Sequence, residues 1–155
     1  MEAVILMVAG VLDALGVGPW VRDSAQLYPW INVAHVLGVV TLVGAIAVVD
    51  LRFAGLWRAL PVAPLASALT PVAIWGFVVM LASGVLLFAA DAPTLARSDV
   101  FQLKLGLIGL AVVNAAIFRW RSRRAGGGGA QPLLALISLG LWVSIVVAGR
   151  MIAYS

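Results

Sequence analysis

Four long stretches run almost without charge through this 155-residue sequence, and no other feature constrains the fold as tightly. They lie at about Trp30–Val49, Ala66–Ala90, Val100–Phe118 and Pro132–Ala153. Crossing the hydrocarbon core of a bilayer takes about 20 apolar residues in a helix, and each stretch meets that length or nearly so. Inside lipid, backbone N–H and C=O groups must be satisfied within the segment, so the stretches are helices and not open strands. Composition agrees: 64% of residues are hydrophobic and only 10% charged, with a mean hydropathy of +1.14. A water-soluble domain carries roughly a quarter charged residues. A soluble enzyme, a disordered tail and a nucleic-acid-binding domain are thereby excluded. The expectation is one domain over residues 1–155, an all-α integral membrane four-helix bundle in contact with the lipid bilayer.

The start of the chain is different. Residues 3–15 are apolar but short, with Glu2 and Asp13 at either end, and Gly16-Val17-Gly18-Pro19 breaks them off. This segment lacks the positive flank of a signal peptide and reads as a short helix lying in the membrane interface. A fifth span is the alternative. Arg52 and Arg58 follow the first span, and Arg119, Arg121, Arg123 and Arg124 follow the third, ahead of a Gly126–Gly129 linker. Between the second and third lie Asp91, Arg97 and Asp99. Loops rich in arginine stay in the cytoplasm, which puts both termini on the periplasmic side. The net charge of +4 then reports orientation and not nucleic acid. Trp20, Trp30, Trp57 and Trp120 fall at expected interfaces, while Trp75 and Trp142 read as packing residues inside spans. Small residues let helices approach closely in lipid. Gly38 and Ala45, Gly106 and Gly109, and the Gly140-Ser144-Ala148 series are the candidates. Pro71 and Pro132 are placed near helix starts, where a missing N–H costs little.

Polar groups at membrane depth are expensive and point to function. His35, the only histidine, lies five residues beyond Trp30; Lys104 lies five beyond Asp99; Arg150 lies five before Ser155. At 1.5 Å per residue all three sit about 7 Å inside the same end of the bundle. No carboxylate shares that level within the spans, so the cluster calls for an anion. Haem b meets that demand: its iron takes a histidine nitrogen, and Lys104 and Arg150 can hold its propionates by charge-assisted hydrogen bonds. His35 is then both the metal ligand and a cofactor-binding residue. Two-histidine ligation within one chain is impossible. A sixth ligand is Met151, Met80, water, a partner's group or none. The bland alternatives are an interfacial histidine and two snorkelling cations. At the other end, Asp50 closes the first span against the helix dipole, which calls for a cationic partner among Arg52, Arg58 and Arg119. Asn114, mid-helix, reads as interhelical glue. With zero cysteines and no methionine pair at helical spacing, copper chemistry is poorly served.

Several strings occur together: Tyr28-Pro29-Trp30, His35-Val36-Leu37-Gly38, Asp50-Leu51-Arg52, Lys104-Leu105-Gly106, and the ending Gly149-Arg150-Met151-Ile152-Ala153-Tyr154. With them the chain resembles, over nearly its whole length, a bacterial family of four-helix integral membrane proteins catalogued as a domain of unknown function. More remotely it is similar to copper-resistance D-type membrane proteins and to haem-dependent protoporphyrinogen oxidases of the inner membrane. Those groups also place a histidine on the first helix and a lysine early in a later one. The resemblance implies an inner-membrane location and a haem-associated, redox or haem-handling role for His35 and Lys104. It departs from the remoter groups where Phe118-Arg119 stands near the place of a second histidine. Two other functions fit the same residues: an accessory subunit packing against a membrane partner or a second copy through its small-residue faces, and a binder of another anionic or quinone-like ligand.

Overall fold

The computed structural model describes residues 2–124 and 131–154; the expected linker Gly126–Gly129 lies outside the described residues. The described chain forms seven α-helices and no strand. They are α1 (Glu2–Ala14), α2 (Val17–Arg22), α3 (Leu27–Phe53), α4 (Val62–Ala90), α5 (Ala92–Arg97), α6 (Asp99–Arg124) and α7 (Pro132–Met151), the last ending in a 3-10 turn, Ile152–Tyr154. Four of them, α3, α4, α6 and α7 with its terminal turn, are long and apolar enough to cross a membrane. With 13 residues, α1 is shorter than the ~20 a span requires.

The spanning helices outrun the apolar stretches at most ends. The arginine run is not a loop: α6 continues through it to Arg124, because arginine is a good helix former and cations suit a helix C-terminus. Arg124 lies over the Trp120 ring, 4.0 Å from its centroid. Since α4 begins at Val62, Pro71 sits in the helix interior and not near its start. Such a proline is tolerated in membrane helices, where neighbours re-satisfy the freed backbone. The α3–α4 connection is tight. Gly55 adopts φ +111° and Trp57 φ +47°, and Arg52 staples the turn by donating to the carbonyls of Leu60 (2.7 Å) and Arg58 (3.2 Å).

The closest helix pair is α3 with α4; α7 packs against both α3 and α6. Backbones meet at Gly38 and Gly76. A Cβ on Gly38 would lie 2.7 Å from the Met80 nitrogen, and one on Gly76 would lie 2.5 Å from the Leu42 nitrogen. Neither position accepts a side chain without moving a helix. Around this crossing Leu42, Met80, Ala111, Trp142 and Ile145 form the central core, drawn from all four spanning helices. Ala45 is also buried, but the expected glycine contacts on α6 and α7 do not form among the described residues. A Cβ on Gly106, Gly109 or Gly140 would meet nothing within 4 Å, and Ser144 is exposed. These residues face outward, and only Ala148 of the α7 series is buried. Trp75 is likewise an outward residue, 70% exposed, whereas Trp142 is 4% exposed in the core.

Three short helices close the His35 end. On α2, Val21 is fully buried, and Arg22 donates to the Ala90 carbonyl at 3.2 Å, satisfying an orphan acceptor where α4 ends. Helix α1 packs on α5, with Ile5, Phe88, Ala92 and Ala96 buried together. Phe88 stacks on Phe101 at 5.4 Å, bringing α4 and α6 together at this end.

The glycine crossing makes a direct prediction. Gly38→Ala should destabilise the protein by about 1–3 kcal/mol through overpacking, read by thermal unfolding in detergent. Gly140→Ala should be neutral or slightly stabilising, because alanine is the better helix former and its methyl meets open space.

Candidate functional site

His35 projects from α3 onto α4. Its Nδ1 lies 3.0 Å from the Met80 carbonyl oxygen and 3.1 Å from Ser83 Oγ. A carbonyl only accepts, so in the neutral ring the proton resides on Nδ1. The Ser83 hydroxyl has backbone carbonyls as acceptors for its own proton, Val79 at 2.5 Å and Met80 at 3.2 Å, leaving an oxygen lone pair that shares the histidine N–H. The ring is therefore clamped from one side, and its Nε2 lone pair is left for another partner. This is the arrangement by which metal-ligating histidines are oriented. Beneath the ring lies Gly84, whose missing side chain makes room: a Cβ there would come within 3.2 Å of His35 Cε1.

Lys104 enters from α6. It lies along α7 at Gly149, where a Cβ would be 3.4 Å from its Nζ, and it is an electrostatic neighbour of His35. Imidazole and ammonium, carried on α3 and α6, are near enough to interact electrostatically, and glycines of α4 and α7 lie against them. Arg150, the next residue after Gly149, does not join them. It is exposed, donates to the Tyr154 hydroxyl and covers the Tyr154 ring at 4.7 Å from the centroid. The expected two-cation clamp reduces to one cation beside the histidine and one at the surface. Of the expected sixth ligands, Met80 is buried in the core on the Nδ1 side, and Met151 is half-exposed at the end of α7. Among the described residues no three histidine, cysteine or carboxylate side chains gather into a metal site.

The opposite end carries a second polar group. Asp50 is only 7% exposed. The Ser138 hydroxyl of α7 stands where a cationic partner is expected, and Oδ2 has no hydrogen-bond partner among the described residues. Arg52 is turned away into the α3–α4 connection. Asn114 donates to the Leu134 carbonyl at 3.1 Å, joining α6 to α7. Gln131, at the start of α7, donates to Ser122 Oγ at 2.9 Å and does the same work nearer the arginines.

Two participants escape sequence reasoning. Ser83 and Gly84 lie in an apolar run with no charge to flag them, and only the α3–α4 crossing places them under His35. Because the chain has one histidine, its clamp can be read in isolation. In 15N spectra of histidine-labelled protein, the neutral ring should carry its proton on Nδ1, and Ser83→Ala should shift Nδ1 far more than Nε2. A proton on Nε2 would contradict the geometry.

Set against protein-family models, curated proteins and solved structures, the chain matches none.

Proposed function

We propose that the protein is a membrane haem b-binding protein with a redox or haem-handling role. One observation carries the reading. His35, at membrane depth, is held through Nδ1 by Met80 and Ser83, so that Nε2 is the nitrogen offered to a metal. The donor set would suit a haem held by a single imidazole: the porphyrin would supply four nitrogens and His35 one protein nitrogen. Haem bound here would supply one-electron chemistry or ligand exchange at iron. The chain's own residues orient the imidazole and present a positive charge. Lys104 is the natural partner for a propionate. Arg150 would have to leave its contact with Tyr154 at the surface to hold the second. Positive residues favour the cytoplasmic side, so the Asp50 end with Arg119–Arg124 faces the cytoplasm of a bacterial inner membrane, and the His35 end faces the periplasm.

A second reading draws on the uncovered small residues. A Cβ on Gly106, Gly109 or Gly140 would meet nothing within 4 Å among the described residues, and such faces pair helices in lipid. The protein would then be an accessory subunit seated against a larger membrane complex or a second copy.

Optical spectroscopy separates the two. Detergent-purified protein, supplemented with haem, should show a Soret band. His35→Ala should abolish or displace that band, while substitution of exposed Asn32 by alanine should leave it intact. Colourless protein recovered with other subunits at fixed ratio would favour the accessory role. Unchanged haem content in His35→Ala would mean that His35 is not the ligand.

A further inference from the structure

We propose that the arginine-rich end of the bundle holds a second site, taking from the lipid phase a ring compound with a hydroxyl head, of the hydroquinone class. A cavity opens among the four spanning helices at that end. Phe53 of α3 meets Phe118 of α6 edge-on at 4.8 Å, and beside them residues of α3, α4, α6 and α7 line a cavity of about 680 Å³. Sites for small organic ligands fall in the range of roughly 300–1,000 Å³. Ile74 on α4 and Val112 on α6 both line the cavity and are about half exposed on the lipid-facing surface. The cavity therefore reaches the apolar outer surface beside Ile74 and Val112.

The walls define the ligand. Phe77, Phe118 and Trp142 give an apolar, ring-matched body. Into this lining stands Asp50, more than nine-tenths buried, with Ser138 on one side and Oδ2 without a hydrogen-bond partner among the described residues. A buried acceptor left unmade is costly, and native structures rarely leave one. A donor arriving with the ligand removes that cost. Arg119 and Arg123, also in the lining, make a positively charged ligand a poor fit, and the apolar walls disfavour a hydrated ion. A phospholipid acyl chain would fill the space without satisfying Asp50. A neutral ring bearing a hydroxyl answers both the shape and the orphan acceptor. The proposal does not depend on haem at His35.

The test uses the full chain in phosphatidylcholine nanodiscs. The probes are a decyl-substituted hydroquinone, kept anaerobic, and its dimethyl ether, which has the same ring and tail without the donors. Quenching of tryptophan fluorescence reports occupancy, and Trp142→Phe identifies the signal from the cavity. The hydroquinone should bind saturably and about tenfold more tightly than the ether, the worth of one buried hydrogen bond. Asp50→Leu should lower hydroquinone affinity to that of the ether, and Ala66→Trp, which fills the cavity, should abolish saturable binding of both. Equal affinities for the two probes on the unaltered protein, or only unsaturable partitioning into lipid, would overturn the proposal. The probe comparison needs no variant to fold, and neither result bears on the Soret band.

Discussion

The arrangement rests on the close crossing of α3 and α4. Gly38 and Gly76 lie against each other's helix so tightly that a single methyl on either would meet backbone atoms. In lipid, helices gain little from hiding apolar side chains, and van der Waals contact between backbones supplies much of the association. That contact sets the register between the two helices. It puts Met80 of α4 against Gly38, and hence the Met80 carbonyl and the Ser83 hydroxyl one turn away against His35. The imidazole clamp is a consequence of the glycine crossing. Loosening the crossing would free the ring as well as weaken the fold.

The two ends of the bundle solve the same packing problem differently. At the His35 end, α1, α2 and α5 cover the helix termini, Arg22 caps α4, and Phe88 stacks on Phe101. At the Asp50 end, Phe53 meets Phe118, and a cavity lined by all four spanning helices stays open. Polar cross-links take over there: Asn114 to Leu134, Gln131 to Ser122, and Arg52 across the α3–α4 turn. Directional bonds hold helices at fixed separation without filling the space between them, so a cavity can persist beside a buried carboxylate.

Much of the architecture is legible in the residues. Apolar runs long enough for lipid locate α3, α4, α6 and α7, and the Gly16–Pro19 break ends α1 close to where it was expected. Helix ends are less legible. Charge suggests a loop at Arg119–Arg124, yet arginine continues a helix as readily as it decorates a loop, and α6 runs on. The short helices α2 and α5 have too few residues to show a period. Small residues mislead in a different way. Gly38 and Gly140 are equivalent as letters, but one is pressed against a neighbouring backbone and the other faces open space, because a helix presents only one side to its neighbour.

From the residues alone it follows that this chain is helical and suited to a membrane, since apolar length and the demand for internally paired backbone groups leave no other fold. The presence of one histidine and one lysine within spans is likewise a property of the sequence. Tertiary structure decided which of these groups meet. His35 and Lys104 come near enough to interact electrostatically, Arg150 turns to its own Tyr154, and Asp50 faces a serine and a cavity in place of an arginine. Depth along a helix can be counted from sequence, but direction around it depends on which backbones touch, and that is known only once the helices are packed.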